Sequence, residues 1–181
     1  MNHWTDALVK LNACNEAVEW AKTQPDLSTA WTKCKRGDWC LWLIGRTTKS
    51  EPWSEERKPI VRAAIDCAKT ALKYANNDTI TANLWCIDAL ERWCNGEADR
   101  DEVIAARDAA ADADAAAYAA AYAAYAAYAY AAYAADTAAY AATYATAAAS
   151  ASATDRAKAL SECAEIVRRH FPVAPSLGVE S

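Results

Sequence analysis

Residues 115–150 read AAAYAAAYAAYAAYAYAAYAADTAAYAATYATAAAS, a run of almost nothing but alanine and tyrosine. Alanine has the highest helix propensity of any residue, and acidic side chains crowd the preceding stretch from Asp99, where the partial positive charge of a helix N-terminus favours them. A helix over 100–150 is the expectation. At 100° per residue, Tyr122, Tyr125, Tyr133, Tyr140 and Tyr144 join Tyr118 in a stripe roughly 100° wide, with Tyr128 and Tyr130 to either side. The phase survives Asp136 and Thr137, which favours one very long helix over two broken near Asp136. Alanine on the other faces lets neighbouring axes approach to about 8 Å, so this helix serves as a central or interface-forming post. The same faces can meet a second copy of the chain, and a homo-oligomer is expected.

The rest of the chain carries few signals for strands. Four glycines and five prolines in 181 residues leave too few turns for a many-stranded sheet, so the chain reads as all-α. The expected architecture is a single-domain bundle of about six to seven helices over residues 1–171, followed by a loosely ordered tail at 172–181. Apolar spacing marks a helix over 6–23 that Pro25 stops, and Asp26 caps another through Trp31 and Cys34. Gly37 and Asp38 interrupt the pattern before the apolar helix WCLWLIG, which is expected to end near Gly45, with Asp38 as its cap. Beyond a polar linker at Arg46–Ser50, Ser54 can cap a helix with Val61, Ala64, Ile65, Ala68 and Leu72 on its inner face. Asp78 and Gly96 bracket the next, whose Leu84, Trp85, Ile87, Ala89 and Trp93 cannot all face water. Thr154 or Asp155 opens the last helix and Pro172 closes it, with Leu160, Cys163, Ala164, Val167 and Phe171 on one face.

Charge and motif spacing exclude several chemistries. A net charge of −5 argues against a nucleic-acid partner, because affinity for a phosphate backbone comes from Lys and Arg. The Ala/Tyr tract lacks the leucine, isoleucine and phenylalanine of a bilayer span, and MNHWTDALVK lacks the basic start and apolar run of a secretory leader. A cytoplasmic protein is expected. Seven cysteines include no C-x-x-C pair, and the two histidines, His3 and His170, lie far apart, so no metal site is expected. Asp108, Asp112 and Asp114 are read as electrostatic partners of a helix start. No catalytic constellation and no cofactor motif is visible.

One segment does stand out. CKRGDWCLWLIG, residues 34–45, gathers Arg36, Asp38, Trp39 and Trp42 around a glycine. On the plain reading Asp38 caps, the tryptophans fill core and Arg36 pairs with an acid such as Glu91. On the functional reading an indole stacks on a planar ligand or a partner side chain, while Arg36 supplies a rigid fork of donors.

These residues also carry a family resemblance. ACNEAVEW, AWTKCKRGDWCLWLIG and the closing SECAEIVRRHFP, around a very alanine-rich helix, resemble the immunity proteins related to immunity protein five, found in bacteria and bacteriophages. The resemblance implies a small helical protein of bacterial conflict and brings no catalytic residue with it. The expected function is non-catalytic binding that neutralises a protein toxin or a defence effector. The alternative is a phage anti-defence protein that sequesters a small nucleotide-like signal.

Overall fold

Local capping and stop signals decide where each helix begins and ends. A computed structural model of the chain describes residues 3–72, 77–112 and 153–178, and within these the protein is helical with no strand. The order is α1 Asp6–Lys10, α2 Asn15–Lys22, α3 Leu27–Lys33, α4 Gly37–Thr47, a 3-10 turn at Glu55–Arg57 running into α5 Lys58–Leu72, α6 Asn77–Asn95, α7 Arg100–Asp112 and α8 Ala153–His170. All-α is therefore the fold class. The tyrosine stripe from Tyr118 to Tyr144, and the question of a break near Asp136, lie outside the described residues.

Several expected signals act where the sequence places them. The Asp26 carboxylate accepts from the Thr29 N–H at 2.7 Å, a bond that also holds its pKa below the ordinary value. Asp99 accepts from the Glu102 N–H at 2.9 Å at the start of α7. Gly96 takes φ 78°, which lets the Glu97 N–H reach the Arg92 carbonyl at 2.8 Å and the Gly96 N–H reach that of Trp93 at 3.0 Å, satisfying the last carbonyls of α6.

Other boundaries differ from expectation. The stretch 6–23 is two helices, and this raises the total to eight α-helices among the described residues rather than six or seven. Asn12 adopts φ 63°, and the Ala13 and Asn12 N–H groups close onto the carbonyls of Leu8 and Val9, each at 2.9 Å. That is the same left-handed stop as at Gly96, made by an asparagine, which tolerates the conformation better than most residues. Asp38 does not cap α4: the helix begins at Gly37 with Arg36 before it, and Asp38 lies inside the first turn. Nor does α4 end near Gly45, which is buried. It runs to Thr47, where the hydroxyls of Thr47 and Thr48 donate to the carbonyls of Leu43 and Ile44, each at 2.8 Å. Ser54 precedes the 3-10 turn without a side-chain capping bond. The linker before it is fastened by Arg57, which is 7% exposed and donates to the Ser50 carbonyl from Nε at 3.1 Å and Nη2 at 2.9 Å.

Packing places α8 against both α4 and α5, α5 on α6, and α6 on α7. Leu41, Val61, Ile65, Leu90, Val103 and Val167 are fully enclosed at the shared core. On α6 the inward positions are Cys86, Ile87, Ala89, Leu90, Trp93 and Cys94, so the helical period leaves Leu84 and Trp85 exposed. Beyond α8, Phe171, Ala174 and Leu177 pack on the core, and the Trp31 indole donates to the Phe171 carbonyl at 3.1 Å.

Candidate functional site

The connection from α3 to α4 is built by a close approach to α8. A Cβ on Gly37 would collide with the Cys163 side chain and lie 2.7 Å from the Ala164 backbone nitrogen, so only glycine lets α4 start there. Arg168 of α8 reaches across to donate to the carbonyls of Cys34 at 2.7 Å and Trp31 at 3.3 Å, satisfying orphan acceptors at the end of α3. The Arg-Gly-Asp triplet is thus held rigidly, with its glycine used for packing.

Arg36 turns back over this connection. Its Nε donates to Asp38 Oδ1 at 2.9 Å and its Nη2 to Asp38 Oδ2 at 2.7 Å, a two-pronged pairing with a carboxylate that is almost wholly buried. The third prong, Nη1, donates to Glu16 Oε1 of α2 at 3.0 Å. These bonds, those to Asp38 foremost, raise the guanidinium's pKa further above its ordinary value. The guanidinium carbon lies 4.3 Å from the centre of the Trp39 ring, and Trp39 in turn meets Trp20 at 5.9 Å in a tilted pair. Glu91, the expected acidic partner, instead pairs with Lys69 at 2.6 Å.

Beneath this ion pair, residues of α1 to α4 frame a partly open pocket of about 60 Å³, walled almost entirely by apolar atoms. Trp4, Trp20, Trp31, Trp39 and Trp42 line it together with Cys34 and Cys40. No family model, curated protein or solved structure matches this chain.

All four residues singled out from the sequence therefore meet here. Trp39 and Trp42 line the pocket, Arg36 lies over its Trp39 wall, and Asp38 anchors Arg36 from behind. Missed by the sequence reading were Glu16, Trp4, Trp20 and Trp31. A signal for one pair did exist: Glu16 and Trp20 are four apart on α2, which puts a charge and an indole on one helical face.

Both histidines have ordinary structural partners. His170 Nε2 pairs with Asp66 Oδ2 at 2.7 Å, and His3 Nδ1 with the Thr5 hydroxyl at 2.7 Å. Among the described residues no three His, Cys, Asp or Glu side chains gather as metal ligands, and no helix is long and apolar enough to cross a membrane.

Proposed function

We propose that this chain is a non-catalytic binding protein of bacterial or phage conflict, immunity-like, which neutralises a protein toxin or a defence effector in the cytoplasm. The observation that carries this reading is the pairing of an apolar, tryptophan-walled pocket with an Arg36 fork whose three nitrogens are already occupied by Asp38 and Glu16. An apolar anchor side chain of a protein partner fits the pocket, and basic residues around that anchor fit the exposed Glu16 at its rim.

A small nucleotide-like signal fits less well. Recognition of its phosphates asks for an available cation, whereas one guanidinium here faces two carboxylates. A planar base also needs room, and about 60 Å³ falls well below the roughly 300 Å³ at which drug-sized ligands begin to be buried. The resemblance of CKRGDWCLWLIG and SECAEIVRRHFP to immunity proteins of bacteria and bacteriophages supports the conflict setting.

The proposal extends to architecture. The chain forms one bundle and a homo-oligomer, the latter supported by the alanine-rich composition of residues 115–150.

Two substitutions test the binding reading. Ala17→Leu fills the pocket from α2, and Glu16→Lys reverses the rim charge at a side chain that is 70% exposed. Both proteins should keep the helical circular dichroism spectrum and lose protection of cells challenged with phage or with toxin. Full protection by both would overturn the site.

A further inference from the structure

Two of the thiols line the tryptophan pocket. Cys34 stands in extended conformation at the end of α3, Cys40 lies six residues on in the first turn of α4, and both face the same small pocket. The Cys40 thiol hydrogen-bonds the Cys34 sulfur, and the Arg36 N–H donates to that sulfur at 3.4 Å. Arg168, bound to the Cys34 carbonyl at 2.7 Å, adds a nearby positive charge. A thiol donor, a backbone N–H and a cation around one sulfur favour its thiolate, and they hold the Cys34 pKa below the ordinary value against its burial and the nearby Asp38 carboxylate.

The other cysteines lack this combination. Cys86 and Cys94 are pushed up by burial to about 12 and about 11. Cys67 and Cys163 face each other between α5 and α8, where hydrogen bonds from Cys67 and Thr70 likewise hold the Cys163 pKa below its ordinary value, but neither thiol lines the pocket. Cys14 is exposed and lies outside the pocket wall.

We propose that Cys34 and Cys40 form a peroxide-oxidised thiol pair, converted to an intramolecular disulfide by a small neutral hydroperoxide that enters the tryptophan pocket. The size and polarity of the pocket select the oxidant. About 60 Å³ of apolar-walled space admits molecules of the size of water or hydrogen peroxide and excludes glutathione disulfide, which is large and charged. In the first step the Cys34 thiolate attacks one peroxide oxygen, an S–O bond forms and the O–O bond breaks. The departing hydroxide takes up the proton that Cys34 released and leaves as water. Cys40 then loses its proton and attacks the Cys34 sulfur, the S–S bond forms, the S–O bond breaks, and the second hydroxide leaves with that proton as water. Two thiols are oxidised by two electrons in total and one peroxide is reduced to two waters. The inference does not depend on what the pocket binds.

The test treats the folded full-length chain with hydrogen peroxide, blocks remaining thiols with N-ethylmaleimide under denaturing conditions, and maps the peptides by mass spectrometry. The expected product is a Cys34–Cys40 disulfide with the intact mass lower by two hydrogens, reversed by dithiothreitol. In Cys40→Ser, dimedone added together with denaturant after the peroxide treatment should trap a sulfenic acid at Cys34. Blocked, unoxidised Cys34 and Cys40 in a wild-type sample whose Cys14 is oxidised would overturn the proposal, as would a Cys67–Cys163 disulfide forming first. Glutathione disulfide should modify Cys14 and spare the pair. Equal reaction at Cys34 would refute selection by the pocket.

Discussion

Gly37→Ala sets two opposite effects against each other. On helix propensity alone alanine is favoured over glycine by about 1 kcal/mol in a helix interior, and by less at the first helical position that Gly37 occupies. Against this stands the contact with α8. The new methyl would collide with the Cys163 side chain and lie 2.7 Å from the Ala164 nitrogen and 2.8 Å from the Cys163 carbonyl carbon. Two of these three neighbours are backbone atoms, so no rotamer change relieves the overlap and the start of α4 must move away from α8. Overpacking of this kind costs about 1–3 kcal/mol. Offset by a propensity gain below about 1 kcal/mol, the net effect is a loss of about 1 kcal/mol, which for a chain of this length lowers the melting temperature by about 2–4 °C. Thermal unfolding followed by circular dichroism at 222 nm measures it. An unchanged or raised melting temperature would show that propensity wins and that the close approach of α4 and α8 is not what requires glycine.

Arg36→Ala removes the cation from a carboxylate whose side chain is only 5% exposed, and should destabilise the protein by about 3 kcal/mol, the low end for a broken buried pair because Arg36 itself is 29% exposed. Urea unfolding reads this, and a loss below about 0.5 kcal/mol would mean the pair behaves as a surface salt bridge. Burial raises the Cys86 thiol from 9.0 to about 12, so the folded state holds its proton more tightly than the unfolded chain. The corresponding stability is fully present below pH 9 and is lost as pH rises towards 12. Cys86→Ala should flatten that alkaline fall in the urea midpoint, and an equally steep fall in the variant would contradict the assignment. All seven cysteines are free, so a strong reductant should leave the melting temperature of freshly purified protein unchanged, and a large drop would reveal a bond that stabilises the fold.

Capping signals were legible because they are local. Asp26, Gly96 and Asp99 act through bonds to residues within five positions, and each sits where its residue type has a physical reason to be. Asn12 escaped notice because the apolar spacing of 6–23 runs through it unbroken, and asparagine is as ordinary on an exposed helical face as at a left-handed stop. The role of Asp38 was misplaced for a different reason. A carboxylate beside a helix start can cap or can pair, and the choice fell to Arg36, which lies just before α4 and can fold back on a residue two positions on.

Glycine at 37 reads in the sequence as a break, whereas its cause lies 126 and 127 positions away at Cys163 and Ala164. The pocket follows the same pattern. Trp39 and Trp42 share a helix and could be picked out together, but Trp4, Trp20 and Trp31 join them only once α1, α2 and α3 are set against α4. Glu16 reaches Arg36 across 20 residues for the same reason.

Native mass spectrometry of the full-length chain, purified from the cells that naturally make it, puts the claim of a protein-binding pocket to its most direct test. Wild type should carry a mass increment the size of a protein chain in stoichiometric amount, and Ala17→Leu, folded but with the pocket filled, should have lost it. A small-molecule adduct retained in both proteins, or a protein complex that Ala17→Leu leaves intact, would contradict binding through the tryptophan pocket.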